Sequence, residues 1–170
     1  MAEAKVTGVV APLTVLSLDN VQQNSESMRR AFLQYIDACS EDVALTAELV
    51  QWIEDNVDFL VTLVDRITPE VTAAFRQDAE EYLGFDPGVV IGTERFSQLV
   101  VQKGRFEVPA WEVCGVETVE DIDSYWELKF LGLNAAHQVL AMVGPRVGAT
   151  YIHEAALIPE IGALLELFHR

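Results

Sequence analysis

The sequence predicts a mainly α protein, an irregular four- to five-helix bundle with a small β-hairpin at about 97–108 and an extended N-terminal arm. Three observations carry that expectation. Apolar residues recur every three or four positions from Val50 to Ile67, the spacing of one face of a helix. Strong stop signals, Gly84 to Gly88 and Gly144-Pro145, punctuate the chain where helical patterns end. The helical period is lost between Gly88 and Val116. With 170 residues, 51% of them hydrophobic and 22% charged, the chain can bury a core and does not have a disordered composition. No fixed repeat and no long Gly/Ser/Pro linker divides it, so residues 1–18 are read as the arm and 19–170 as a single helical domain.

Residues 4–18 place β-branched side chains around Gly8 and Pro12, which favours extended backbone over helix. Met28, Phe32, Tyr35, Ile36 and Cys39 then fall at helical spacing behind Asn24 and Ser25, two good N-cap types, giving a helix over about 25–39. Ser40 caps a second helix over about 41–67, whose stripe is Val50, Ile53, Val57, Leu60, Val64 and Ile67. Thr68-Pro69-Glu70 reads as N-cap, N1 proline and first-turn acid of a third helix reaching about Leu83. The runs 99–102 and 105–108, joined by Lys103-Gly104, read as the hairpin. Thr118 and Asp121 resemble a capping box opening a fourth helix, about 119–143, and 148–169 reads as a last helix in which Pro159 is either a kink or a new start.

Charge and motif content narrow the function. The 27 acids against 11 bases leave a formal net charge of −16, which argues against direct nucleic acid binding and against anionic membranes. No uninterrupted apolar run of about 18 residues is present, so membrane insertion is not expected. The cysteines Cys39 and Cys114 form no C-x-x-C, and Val6 to Leu18 lacks the marks of a secretory signal; both point to the cytoplasm. G-x-x-x-x-G-K-[ST], G-x-G-x-x-G and G-x-S-x-G are all absent. His137, His153 and His169 are 16 residues apart, a rotation of about 160° beyond whole turns that separates them on a helix. Glu120, Asp121, Asp123 and Glu127 suit a helix N-terminus better than a cation loop. No catalytic residue, cofactor site or metal ligand is assigned on this reading.

What remains is surface. From Asp37 to Asp86 there are 13 acids and two bases, and the termini are unusually apolar. The sequence therefore points to a non-enzymatic protein–protein interaction protein, an adaptor, inhibitor, assembly factor or structural subunit. Its acidic face would be Glu48, Asp55, Asp58 and Asp65, turned to a basic protein partner. Leu165 and Phe168 would serve contacts between subunits of a homo-oligomer. The alternative left open is a small helical enzyme or ligand-binding protein with a pocket between helices, for which His137 and Trp126 are the candidate residues.

Overall fold

The computed structural model describes residues 11–39 and 42–168. They form an α/β arrangement, not a helical bundle, divided into two compact units, Met1–Glu120 and Asp121–Arg170. The described part of the expected arm contains β1 (Leu13–Leu16); residues 1–10 of it lie outside the described residues. Helix α1 (Asn24–Cys39) follows closely the bounds that its spacing and caps predict. Helix α2 (Val43–Asn56) is capped by Asp42, whose carboxylate accepts from the Ala44 and Leu45 N–H groups; Ser40 lies outside the described residues.

The expected helix over 41–67 is the main correction to the bundle. After Asn56 the chain turns extended, forming β2 (Val57–Leu60) and, one residue later, β3 (Thr62–Asp65). β2 pairs in parallel with β1, Leu13 opposite Val57 through Leu16 opposite Leu60. The physical reason lies in burial. Val57, Leu60, Val61, Thr62 and Leu63 are all buried, and a strand covered on both faces reads as a near-continuous apolar run. Such a run also satisfies a helical template, so periodicity alone cannot separate the two. Pairing with distant strands decides the outcome.

The hairpin over 97–108 is corrected too. Its first half is β4 (Gln98–Gln102), but β4 is flanked by β3, antiparallel, and by β5 (Glu117–Val119), parallel. Residues 105–108 make no return strand because their backbone is taken elsewhere. The Arg105 and Phe106 N–H groups both donate to the carboxylate of Asp58, the latter at 3.0 Å. Gly104 makes that approach feasible, since a Cβ there would collide with the Leu60 and Asp58 side chains. Helix α3 (Ala73–Leu83) starts after Thr72, whose hydroxyl accepts from Phe75 N at 3.1 Å, and stops at Gly84, φ 75°. Pro69 is therefore outside it.

In the second unit the expected helix over 119–143 begins later, because 117–119 is strand β5. It runs as α4 (Asp123–Glu127), a π-helical segment Leu128–Asn134, and α5 (Ala135–Val143). A 3₁₀ turn, Gly144–Val147, leads to α6 (Ile152–Ala156) and α7 (Pro159–Phe168), so Pro159 is a new start. Leu140, Ala155 and Ile161 form the core here, with Val143, Ala149, Ile158 and Leu165 against it. Gly144 permits the packing: a Cβ at this position would lie 2.9 Å from that of Ala155. Among the described residues no helix is long and apolar enough to cross a membrane.

Candidate active site

In open α/β sheets, ligands bind beyond the carboxyl ends of parallel strands. In the first unit those ends are the turn after β1, Ser17 to Gln23, and the β2–β3 junction. One side chain ties them together. Asn24 Nδ2 lies 3.1 Å from Ser17 O, 2.9 Å from Asp19 O and 2.9 Å from Thr62 Oγ1. Its Oδ1 accepts from Thr62 N at 3.2 Å and from Ser25 N at 2.8 Å. Ser25 Oγ donates to Leu60 O and accepts from Ser17 N, and Thr62 Oγ1 donates to Ser17 O. Gln23 takes φ 55° to deliver Asn24 into this position, a left-handed conformation that costs energy for a non-glycine residue. The network is buried, while Asp19 and Asn20 stand exposed at its rim.

A second polar contact backs β2. Asp58 is buried, and Arg105 Nε donates to its Oδ1 at 2.7 Å while the guanidinium also reaches Glu54 O and Val57 O, each at 2.9 Å. Burial alone would raise the Asp58 carboxyl. The hydrogen bonds from the Arg105 side chain and from the Phe106 and Arg105 backbone N–H groups outweigh it, holding the group below its ordinary value.

The second unit holds a different kind of group. Lys129 is buried, at 6% exposure, within the π segment. On an α-helix, residues 129 and 134 would point about 140° apart. Here Ala135 N–H reaches back to Phe130 O, five residues away, and this wider turn brings position 134 over position 129. His137 lies three residues on, a neighbouring position on the same side of the helix. The segment thus gathers Lys129, Asn134 and His137, the last two half-buried, on one face. Lys129 Nζ also lies 5.7 Å from the centre of the Trp126 ring, on which Phe130 stacks at 5.1 Å.

Of the residues singled out in the sequence, His137 and Trp126 lie in this helix. Lys129 and Asn134 were missed. One signal could have found Lys129, as it is the single charged residue between Glu127 and Arg146. The four acids do not share a helix: Glu48 and Asp55 are exposed on α2, Asp58 is buried in β2, and Asp65 ends β3. Leu165 packs against the core of the second unit and Phe168 is exposed at the end of α7. His153 stacks on Tyr151, and His169 lies outside the described residues. Among the described residues no group of three or more His, Cys, Asp or Glu side chains could hold a metal ion.

Comparison with known proteins adds the chemistry. Residues 2–113 match the family model described as the mannitol dehydrogenase Rossmann domain. The chain is 38% identical over 161 residues to a D-arabinitol 4-dehydrogenase of Ralstonia nicotianae, covering 91% of this chain and 32% of that protein. It is 30% identical over 165 residues to a mannitol dehydrogenase of Saccharomyces cerevisiae, covering 95% of this chain and 31% of that one. A crystal structure of a D-sorbitol dehydrogenase in substrate-free form superposes with a TM-score of 0.82 at 32% identity, over 96% of this chain and 33% of the other. The Pseudomonas fluorescens mannitol 2-dehydrogenase, in ternary complex with NAD and D-mannitol, gives 0.72 at 31% identity, over 99% and 33%. The chain spans about a third of the length of these relatives. These matches overturn the reading as a non-enzymatic, all-α interaction protein, which rested on absent motifs and surplus acids. An acidic surface is compatible with catalysis, and the glycine motif that usually marks a Rossmann domain does not occur in this sequence.

Proposed function

The chain belongs to the mannitol dehydrogenase family, and on that premise we propose that it serves the oxidation of an acyclic polyol at a secondary hydroxyl to the ketone, with Lys129 as the group that takes the hydroxyl proton. Removing two hydrogens from a secondary alcohol sends a hydride from carbon to an acceptor and a proton from oxygen to a base. The observation that supports Lys129 in the second role is its place: a lysine kept from water on a π turn, a distortion frequent at functional sites. Asn134 and His137 on the same face offer side chains that can hydrogen-bond hydroxyls and orient the alcohol. In the reverse direction Lys129 returns the proton to the carbonyl oxygen.

Nicotinamide dinucleotide, when bound, supplies the hydride acceptor. Among the described residues, no glycine-bearing turn after β1 or β2 makes its usual pyrophosphate cradle. None of the described glycines follows β1 or β2, where a close approach of phosphate to backbone would need one, and the turn after β1 is instead closed by Asn24.

The test is polyol-dependent reduction of nicotinamide dinucleotide by the purified protein, with mannitol, arabinitol and sorbitol each supplied. Lys129→Ala should lower kcat by roughly 10²- to 10⁴-fold, the span of a lost general base, with a far smaller change in polyol affinity. A wild-type protein without polyol-dependent turnover, or a Lys129→Ala variant at the wild-type rate, would overturn the reading.

A further inference from the structure

Trp126 is wholly buried, yet its indole N–H has no hydrogen-bond acceptor among the described residues. An indole nitrogen is a donor only, and a buried donor left unpaired weakens folding. A phenylalanine could fill much of this volume and stack on Phe130 without that penalty. The N–H is therefore a group that folding of this unit does not use. Its position is specific: Trp126 precedes Lys129 by three residues, on the adjoining turn, with the lysine amine over the face of its ring.

Resting on the reading above, we propose that the Trp126 indole N–H donates to a hydroxyl oxygen of the polyol on the carbon next to the one oxidised, and so selects polyols over simple secondary alcohols. A hydroxyl oxygen has two lone pairs to accept with. An acyclic polyol carries such an oxygen on the carbon beside the reacting one; a monohydric alcohol carries hydrogen there. Binding the monohydric alcohol leaves the indole N–H unpaired, whereas binding the polyol satisfies it. Sites that hydrogen-bond a substrate hydroxyl reject analogues lacking it for this reason.

Two measurements test this. In wild-type protein, mannitol should move the Trp126 indole ¹H–¹⁵N resonance downfield and slow its exchange with water, leaving those of Trp52 and Trp111 in place. Trp52→Phe and Trp111→Phe assign the signals without touching Trp126. In Trp126→Phe, the ratio of kcat/KM for mannitol to that for 2-butanol should fall roughly three- to tenfold, the worth of one neutral hydrogen bond. An indole resonance unmoved by saturating mannitol, or a folded Trp126→Phe with the wild-type ratio, overturns the inference. Lys129→Ala separates the two failures: if it abolishes turnover while the Trp126 signal ignores mannitol, only the role of Trp126 falls. If wild type neither binds nor oxidises any polyol, both fall.

Discussion

Buried polar side chains are treated in different ways around β1, β2 and β3 and in the helix that carries Trp126 and Lys129. In Met1–Glu120, Ser17, Asn24, Ser25, Asp58 and Thr62 are buried and each has partners, most of them backbone groups of β1, β2, β3 or the turn after β1. In Asp121–Arg170, Trp126 is buried with an unpaired N–H, and Lys129 lies beside it on a helix widened by a π turn. Satisfied networks make a structure rigid and single-valued, and unsatisfied groups are kept where something else will meet them. The β1–β3 region is thus a scaffold held by its polar residues. In the helix, the Trp126 N–H is a donor that no acceptor among the described residues meets.

The comparison breaks most directly at Asn24. Its amide serves both the turn after β1 and the β2–β3 junction, so Asn24→Ala takes the side-chain acceptor from the buried Thr62 and Ser25 N–H groups and a donor from Ser17 O and Thr62 O at once. One such group costs about 1–3 kcal/mol, and we expect a loss of about 3 kcal/mol in the denaturant-unfolding free energy. A loss below about 1 kcal/mol, the usual range of a surface change, would show that the network is ornamental and that the contrast between units is false.

Asp58 gives a smaller effect with a pH signature. Its folded-state pKa lies below the unfolded one, so the carboxylate contributes stability above the unfolded value and loses it as pH falls through the folded value. Asp58→Asn should therefore destabilise by about 1–2 kcal/mol at neutral pH, a charge-assisted hydrogen bond's worth. The half-exposed Arg105 partner keeps the figure modest. The gap between variant and wild type should close below about pH 4. Thermal melts across pH measure it, and a gap that stays constant into acid would remove the charge from the account.

The sequence made local features legible and left non-local ones hidden. Helix α1 was readable because its cap residues and apolar spacing sit within a few turns of one another. Strand β4 was readable as a short β-branched run, but its neighbours β3 and β5 were not, since pairing Val100 with Leu63 and Glu117 is a long-range event. Residues 57–64 misled for the reason that burial on both faces erases alternation. At the candidate site, Trp126 and His137 drew attention by residue type. Lys129 and Asn134 did not, because a five-residue spacing signals a shared face only once the helix is known to carry a π turn. Asn24 and Ser25 were noticed as cap residues, and their larger task, binding strand ends 35 to 38 positions away, leaves no local trace.

Lys129 sharpens the comparison from the other side. If the polar residues of the second unit are held for substrate, removing them should hurt function and spare the fold, a pattern opposite to that at Asn24. Lys129→Met keeps an unbranched chain of similar length and swaps the amine for a thioether. The variant forfeits the contact of the amine with the Trp126 ring, worth about 0.5–2 kcal/mol, and the hydrogen bonding of the ammonium. Against that loss, the variant no longer keeps a polar head group from water. We expect a net loss of at most about 1–2 kcal/mol in denaturant melts, alongside loss of polyol turnover. Should Lys129→Met instead destabilise as much as Asn24→Ala, the lysine would be a structural pin of the helix, and the proton it is proposed to take would need another acceptor.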